Sequence, residues 1–135
     1  MTKEQWVGQT RRTLKPWGYE DLLAFVDGLY CGKLLFIKAG HSLSLRLHER
    51  AEKTLAVQAG HLVVEIGRCL RELESFHLFP GETLRLRQGT VYEISAEVDS
   101  QVIEASTAQP SDLVRLSDIY GRRIGGPVGT VSRGL

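Results

Sequence analysis

Turns that contain glycine recur through the middle of the chain and divide it into short segments in which polar and apolar residues alternate. In segment 42–48, for example, leucine occupies every second position (Leu43, Leu45 and Leu47), so these side chains share one face of a strand. Short strands at regular spacing, with no helical periodicity between them, are typical of a closed barrel or a sandwich of sheets. The strands predicted in this way span residues 20–26, 32–37, 42–48, 54–58, 61–66, 72–78, 82–87, 91–96 and 101–106.

The chain of 135 residues is long enough for one domain with its own core. We divide it into an N-terminal arm at residues 1–14, a barrel with its closing segment at residues 15–122, and a flexible tail at residues 123–135. A short helical turn near the C-terminus is expected where Ser111 and Asp112 offer an N-cap. The tail is rich in glycine and has no periodicity, so no packed structure is expected for it.

Composition excludes several classes of function. Charged residues make up 24% of the chain and the net charge is +1, so there is no basic excess of the kind that binds nucleic acid. The apolar runs are too short to cross a bilayer, and the polar N-terminus lacks the apolar stretch of a signal peptide. We therefore expect a cytoplasmic protein with no nucleic-acid or membrane partner. Two cysteines, Cys31 and Cys69, are too few for a disulfide framework and are expected to be reduced.

Two glycine-bounded motifs in the centre of the chain resemble those of the cupin superfamily. The first cupin motif reads glycine, five residues, His-x-His, three or four residues, glutamate, six residues, glycine; here Gly40 opens it, Arg46 and His48 occupy the two histidine positions, and Gly60 closes it. The second motif reads glycine, five residues, Pro-x-Gly, two residues, histidine. In this chain Gly81 opens the second motif, and Tyr92 stands where the histidine belongs. The resemblance implies an all-β fold, the cupin double-stranded β-helix or jelly-roll barrel.

Four further strings resemble a narrower group, the cupin domain of type II mannose-6-phosphate isomerases and their stand-alone relatives. These strings are KPWGYEDL, LSLRLHERAE, EAST and SDLVRLSDIYGR, and the resemblance runs from Pro16 to Arg122. The last one is the most specific, because cupins in general do not share it. This resemblance implies carbohydrate metabolism, with aldose–ketose isomerisation of mannose 6-phosphate at a divalent ion.

The metal ligands that the resemblance implies are two histidines and a glutamate from the first motif and a histidine from the second. Such a set suits Zn, Ni, Fe or Mn. Here Arg46 replaces the first histidine, His48 keeps the second, and Tyr92 replaces the third. No cofactor is therefore expected. If a metal did bind, His48 and Glu52 would be its remaining ligands.

The position of the motif glutamate has two readings. Counting back from Gly60 places Lys53 there, whereas counting forward from His48 places Glu52 there. Lys53 alternates in phase with Leu55 and Val57, so it points into the barrel if they do, and Glu52 then faces out unless a bulge intervenes. We favour Lys53 at the site, where an ammonium repels a metal cation and attracts an anion.

Three functions remain open. The favoured one is binding of a small polar or anionic ligand, such as a sugar phosphate, at a degenerate metal site. The second is a metal-dependent mannose-6-phosphate isomerase, and the third is a metal-free sugar epimerase or isomerase with His48 as base and Tyr92 as acid. Whether any reaction occurs, on a sugar phosphate or a nucleotide sugar, stays undecided at this point. The predicted ligand-binding residues are Arg46, Lys53, Glu52, Glu104 and Arg122, and Arg85 and Arg87 are weaker candidates that a solvated strand face also explains.

Two further expectations concern packing. Glu104 sits among apolar residues, so its carboxylate needs a partner, either Lys33 or an arginine. If His48 and Arg46 face the barrel interior, the alternating leucines of segment 42–48 face outwards and need covering by the N-terminal segment or by a second subunit. A homodimer is therefore predicted. The other histidines (His41, His61 and His77) have no metal-ligand spacing and are expected to be surface residues or to be satisfied by ordinary hydrogen bonds.

Overall fold

Antiparallel strands form nearly all of the regular structure, as the alternation of polar and apolar residues predicts. The computed structural model describes residues 1–48, 52–108 and 113–115, with the backbone alone at 44–48 and 113–115. One short helix, α1 (Lys3–Trp6), precedes the strands. The strands are β1 (Arg11–Lys15), β2 (Gly18–Val26), β3 (Tyr30–Ile37), β4 (Ser42–His48), β5 (Lys53–Ala59), β6 (Leu62–Gly67), β7 (Glu74–Leu78), β8 (Thr83–Leu86), β9 (Val91–Ala96), β10 (Ser100–Ser106) and β11 (Leu113–Arg115).

These strands form two sheets. Sheet A has the order β1-β2-β3-β10-β5-β8, and sheet B has the order β11-β4-β9-β6-β7. The chain crosses between the sheets repeatedly, so sequence neighbours such as β3 and β4 lie in different sheets. All nine predicted strands are present as β2 to β10, with each end within two residues of the prediction. The all-β jelly-roll prediction is confirmed.

The core lies between the two sheets and is made by the inward face of each strand. Leu55 and Val57 of β5 and Leu62 and Val64 of β6 are each at most 1% exposed. Burial of one such side chain stabilises the fold by about 1.5–3 kcal/mol. The rest of the cluster comprises Trp17, Leu35, Ile37, Leu43, Leu78, Leu86, Tyr92, Ile94, Ala96 and Val102.

A bulge interrupts the pairing of β4 with β9 between Leu43 and Arg46. Leu43 pairs with Ile94 and is only 4% exposed, so the prediction that it faces outwards is wrong. The register then shifts, and Arg46 is the next residue in register, opposite Tyr92. An extra residue in one strand reverses its in–out alternation, which strict alternation from the sequence cannot anticipate. The side chains of Leu45 and Leu47 lie outside the described part, and the homodimer stays a prediction.

The first strand extends sheet A into the predicted N-terminal arm. Arg11–Lys15 pairs antiparallel with β2, with Arg12 opposite Asp21. Arg12 Nε donates to Asp21 Oδ1 over 2.7 Å and Arg12 Nη2 to Oδ2 over 3.0 Å. The guanidinium also lies 3.7 Å from the ring centroid of Tyr19. A bidentate ion pair and a cation–π contact thus fasten β1 to the sheet.

This ion pair predicts a pH-dependent term in stability. Hydrogen bonds from Arg12 hold the pKa of the Asp21 carboxyl below its ordinary value of 3.8, although burial opposes them. A lowered pKa contributes stability at pH values above the ordinary pKa, and this contribution is lost as the pH falls through the folded-state value. Urea denaturation should therefore show wild type more stable than Asp21→Asn by a constant amount above about pH 5, and by less at lower pH. In an Arg12→Gln background, the difference in unfolding free energy between the chain with Asp21 and the chain with Asp21→Asn should no longer depend on pH in this way. If the difference measured with Arg12 present stayed constant in acid, the ion pair would not be the cause of the pH dependence.

The C-terminal part of the described chain is extended where a helical turn was expected. Leu113–Arg115 forms β11 and pairs with β4, with Leu113 opposite His48 and Arg115 opposite Arg46. The predicted helical turn therefore does not begin at Leu113. Its continuation, Arg122 and the predicted tail lie outside the described residues. Within the described part, no helix has the length and apolar character needed to cross a membrane.

Candidate functional site

The candidate site lies at the end of the barrel where β5 and β9 begin and β10 ends. Lys53 is the first residue of β5 and is opposite Ser106, the last residue of β10. Tyr92 stands near the start of β9 in the other sheet. The Lys53 ammonium nitrogen lies 6.0 Å from the centroid of the Tyr92 ring, so the two residues meet across the barrel.

Lys53 faces the interior and Glu52 does not. In β5 Lys53, Leu55 and Val57 are buried while the residues between them are only partly covered, which confirms the alternation predicted from the sequence. Lys53 is 6% exposed, so its side chain is buried and does not extend into solvent. The Glu52 side chain is 42% exposed and accepts a hydrogen bond from Arg85 over 3.0 Å. Of the two readings of the first motif, the structure places Lys53 inside.

The buried ammonium pairs with Glu104. Lys53 Nζ lies 3.2 Å from Glu104 Oε1, and the two side chains are only 5% and 9% exposed. Glu104 of β10 is opposite Leu55 of β5. Lys53 lies two residues before Leu55 on the same face, so it is a diagonal cross-strand neighbour of Glu104. The expectation that Lys33 neutralises Glu104 is corrected, because Lys33 lies 3.3 Å from Glu20. The alternative partner, an arginine, stays a prediction, since the side chain of Arg46 lies outside the described part. A buried charge needs such a partner, since desolvating it alone costs several kcal/mol.

Tyr92 occupies the interior at the position of the second-motif histidine. It is 2% exposed and belongs to the core cluster. Its backbone pairs with that of Arg46, and His48 lies two residues further along β4. The side chains of Arg46 and His48 lie outside the described part, so the predicted base–acid pair of His48 and Tyr92 remains a prediction.

A small cleft opens beside Lys53 at the barrel rim. Its volume is about 270 Å³, just below the range of about 300–1,000 Å³ that is typical of ligand pockets. The start of β5 and the end of β10 are tied there, because the Glu52 backbone N–H donates to Thr107 Oγ1 and the Thr107 N–H donates to the Glu52 carbonyl. We call this the Lys53 cleft; its lining residues are Glu52, Lys53, Thr54, Arg85, Ala105, Ser106 and Thr107.

The cleft contains residues that the sequence reading did not assign to the site. Ser106 and Thr107 end the EAST string, which contributed only to the resemblance. The alternation of β10 could have predicted Ser106, because it lies two residues beyond Glu104 and therefore shares the same face of the strand. Conversely, Arg87 is exposed and does not line the cleft, and Arg122 lies outside the described residues.

At the two motif positions whose side chains the structure describes, the donors do not fit a divalent metal ion. At the position of the motif glutamate an ammonium stands in an ion pair, and it offers hydrogen-bond donors instead of a lone pair. At the position of the second-motif histidine stands a buried tyrosine. Among the residues that the structure describes, no three histidine, cysteine, aspartate or glutamate side chains are grouped as a metal site. We therefore derive no chemistry through a metal in this barrel.

Comparison with known proteins gives structural neighbours but no sequence relatives. No protein-family model and no curated protein matches the sequence. CapF from Staphylococcus aureus, a capsular polysaccharide assembling protein, superposes with a TM-score of 0.70 at 12% identity over 85% of this chain. Oxalate decarboxylase from Bacillus subtilis gives 0.72 at 15% identity over 87%. KdgF from a Halomonas species gives 0.64 at 20% identity over 82%.

The neighbours differ in how much of their own length is matched. The chain spans 36% of the CapF chain and 32% of the oxalate decarboxylase chain. It spans 95% of KdgF, which is therefore similar to it in extent as well as in fold. At these identities the likeness concerns the fold and not the activity. The neighbours are cupin-fold proteins, and the two-sheet antiparallel barrel described here is accordingly a cupin fold.

Proposed function

We propose that this cupin barrel binds a small sugar-derived ligand at the Lys53 cleft without a metal ion. The observation that carries the proposal is the buried Lys53–Glu104 pair, with 3.2 Å between Nζ and Oε1. It fills the position where the cupin motif would place a metal-binding carboxylate. Lys53 lines the cleft, and its ammonium is paired with Glu104.

The charges of the cleft favour a ligand rich in oxygen. Lys53 and Arg85 contribute two cationic groups, and Glu52 contributes one carboxylate. Lysine and arginine only donate hydrogen bonds, while an ionised carboxylate only accepts them. Sugar hydroxyls do both. The Lys53–Glu104 and Arg85–Glu52 pairs leave no net charge among these four groups, so a carboxylate or phosphate would be held by hydrogen bonds from the two cationic side chains and not by an excess of charge. A sugar acid or a sugar monophosphate meets both requirements.

The size of the cleft supports the same ligand class. A volume of about 270 Å³ suits a molecule of about monosaccharide size and is small for a nucleotide sugar. Ser106 and Thr107 add hydroxyl groups to the same cleft. CapF, one of the structural neighbours, assembles a capsular polysaccharide, which favours a carbohydrate-derived ligand without naming one.

Titration calorimetry with glucuronate, mannose 6-phosphate and glucose tests the proposal. We expect glucuronate or mannose 6-phosphate to bind more tightly than glucose. Lys53→Met removes one charge-assisted hydrogen bond worth about 1.5–3 kcal/mol, which corresponds to about ten- to hundredfold weaker binding. Because that variant leaves Glu104 buried without its ammonium, Lys53→Met combined with Glu104→Leu provides a second, uncharged test of the same contact.

The matched control is Lys38→Met, which removes a lysine outside the cleft and should leave binding unchanged. Failure of all three sugars to bind wild type, or equal binding by wild type and both Lys53 variants, would overturn the proposal. The mannose-6-phosphate isomerase alternative is separated in the same samples: it requires a stoichiometric divalent ion after purification without chelator, together with turnover of mannose 6-phosphate.

A further inference from the structure

Two histidines meet in sheet B, at the end of the barrel opposite the Lys53 cleft. His61 precedes β6 and His77 lies in β7, and the ring nitrogens Nε2 of His61 and Nδ1 of His77 are 2.6 Å apart. Their ring centroids are 4.8 Å apart. Along β6, Ile66 pairs with Tyr92 whereas Leu62 pairs with Ala96, so the histidines lie about 13 Å along the strand from the candidate site.

The framework holds these two rings in place. The His61 backbone N–H donates to Ser100 Oγ over 3.0 Å, and the His61 carbonyl accepts from the Glu97 N–H over 2.9 Å. Phe79 stacks on the His61 ring with a centroid distance of 4.5 Å. His77 is fixed through its backbone opposite Val63 in the ladder of β6 and β7. The two imidazoles are therefore brought together before any ligand arrives.

We propose that His61 and His77 together bind a divalent transition-metal ion, with Cu²⁺ preferred, at the surface of sheet B. Imidazole nitrogens bind such ions at about 2.0–2.1 Å, which places two ligands about 2.9 Å apart at a right angle and about 3.3 Å apart in a tetrahedron. The two ring nitrogens are now 2.6 Å apart, so they would have to separate less to reach the right-angle arrangement than to reach the tetrahedral one. That geometry suits Cu²⁺ better than tetrahedral Zn²⁺, and Cu²⁺ also leads the general order of affinity.

The protons balance without any additional group. In the neutral pair one of the two facing nitrogens carries a hydrogen and the other accepts it. On metal binding, that hydrogen leaves the facing nitrogen and a proton adds to the other nitrogen of the same ring, so both lone pairs face the ion with no net proton release. In the described part no third side chain of metal-binding type joins the pair, so water completes the coordination and the affinity is moderate.

Titration of the full chain with CuCl₂ tests this site, followed by calorimetry and by electron paramagnetic resonance for nitrogen coupling. We expect one Cu²⁺ per chain with coupling to two imidazole nitrogens, and weaker binding of ZnCl₂. Because loss of an outer-shell partner already costs 10–100-fold, His77→Ala and His61→Ala should each weaken Cu²⁺ binding by at least about tenfold. His77 is exposed, so its replacement leaves the core intact, and a melting curve checks this.

Two other histidines serve as controls. His41 is exposed, with Nδ1 3.1 Å from the Ala39 carbonyl oxygen, and His41→Ala should leave Cu²⁺ affinity unchanged. His48→Ala tests whether the ion instead binds at the cupin motif. Loss of binding in His48→Ala with retention in His77→Ala would overturn the proposal, as would equal Cu²⁺ binding in wild type and His77→Ala. Neither result bears on sugar binding at the Lys53 cleft.

Discussion

Replacing Glu104 by glutamine should lower the free energy of unfolding by about 3–5 kcal/mol, the effect typical of removing one partner from a buried ion pair. The carboxylate lies 3.2 Å from the Lys53 ammonium, and both side chains are nearly inaccessible. Glutamine keeps the shape and a carbonyl oxygen but loses the charge. The ammonium then remains in a low-dielectric interior, where its desolvation is no longer offset. Urea denaturation at neutral pH gives the measurement.

The double variant separates charge from packing. Lys53→Met with Glu104→Leu replaces both charges by apolar groups of similar size, and such replacements of buried pairs are often neutral or stabilising. We expect this variant to unfold at a urea concentration close to that of wild type, far above the midpoint of Glu104→Gln. If instead the double variant lost as much stability as the single one, packing and not charge would explain the loss at Glu104.

That pair of measurements also bears on function. A buried ion pair that an apolar pair can replace without loss of stability is not required by the fold. If the double variant is stable but no longer binds sugar acids, the pair serves the cleft and not the core. The structure places Lys53 in both environments, because it is 6% exposed and also lines the cleft.

Gly60→Ala should destabilise the chain by about 3 kcal/mol, because two costs add at that position. Gly60 has φ of +100°, in the region that L side chains rarely adopt. A Cβ there would also lie 2.6 Å from both Cα and Cβ of Ser100. Ser100 is 1% exposed and its hydroxyl hydrogen-bonds to the Val98 carbonyl over 2.7 Å, so it cannot move aside without disturbing the start of β10.

Gly40→Ala is the matched control, because it shares the backbone conformation but not the close approach. Its φ is +79° and a Cβ there would meet no atom within 4 Å. It should therefore lose only the conformational cost, about 1–2 kcal/mol. Equal midpoints of thermal or urea unfolding for the two variants would show that the contact with Ser100 adds nothing, and that both motif glycines serve the backbone conformation alone.

Much of the barrel could be predicted from local sequence. Alternation identified nine strands, and it placed Lys53 in phase with Leu55 and Val57, which the structure confirms. The same rule failed at Leu43, where a bulge interrupts the pairing of β4 with β9 between Leu43 and Arg46. Bulges depend on how two strands fit together, so one strand read by itself does not reveal them.

The sequence by itself favoured Lys53 over Glu52 at the position of the metal-binding carboxylate, because Lys53 alternates in phase with Leu55 and Val57. Which carboxylate neutralises that lysine was decided by the tertiary structure. Lys33 and Leu55 are both opposite Glu104, on the two strands that flank β10. Lys33 pairs with Glu20, and Lys53 reaches Glu104 from two residues along β5. Strand order joins positions that are far apart in the chain, and only the folded barrel determines which buried charges lie within reach of each other.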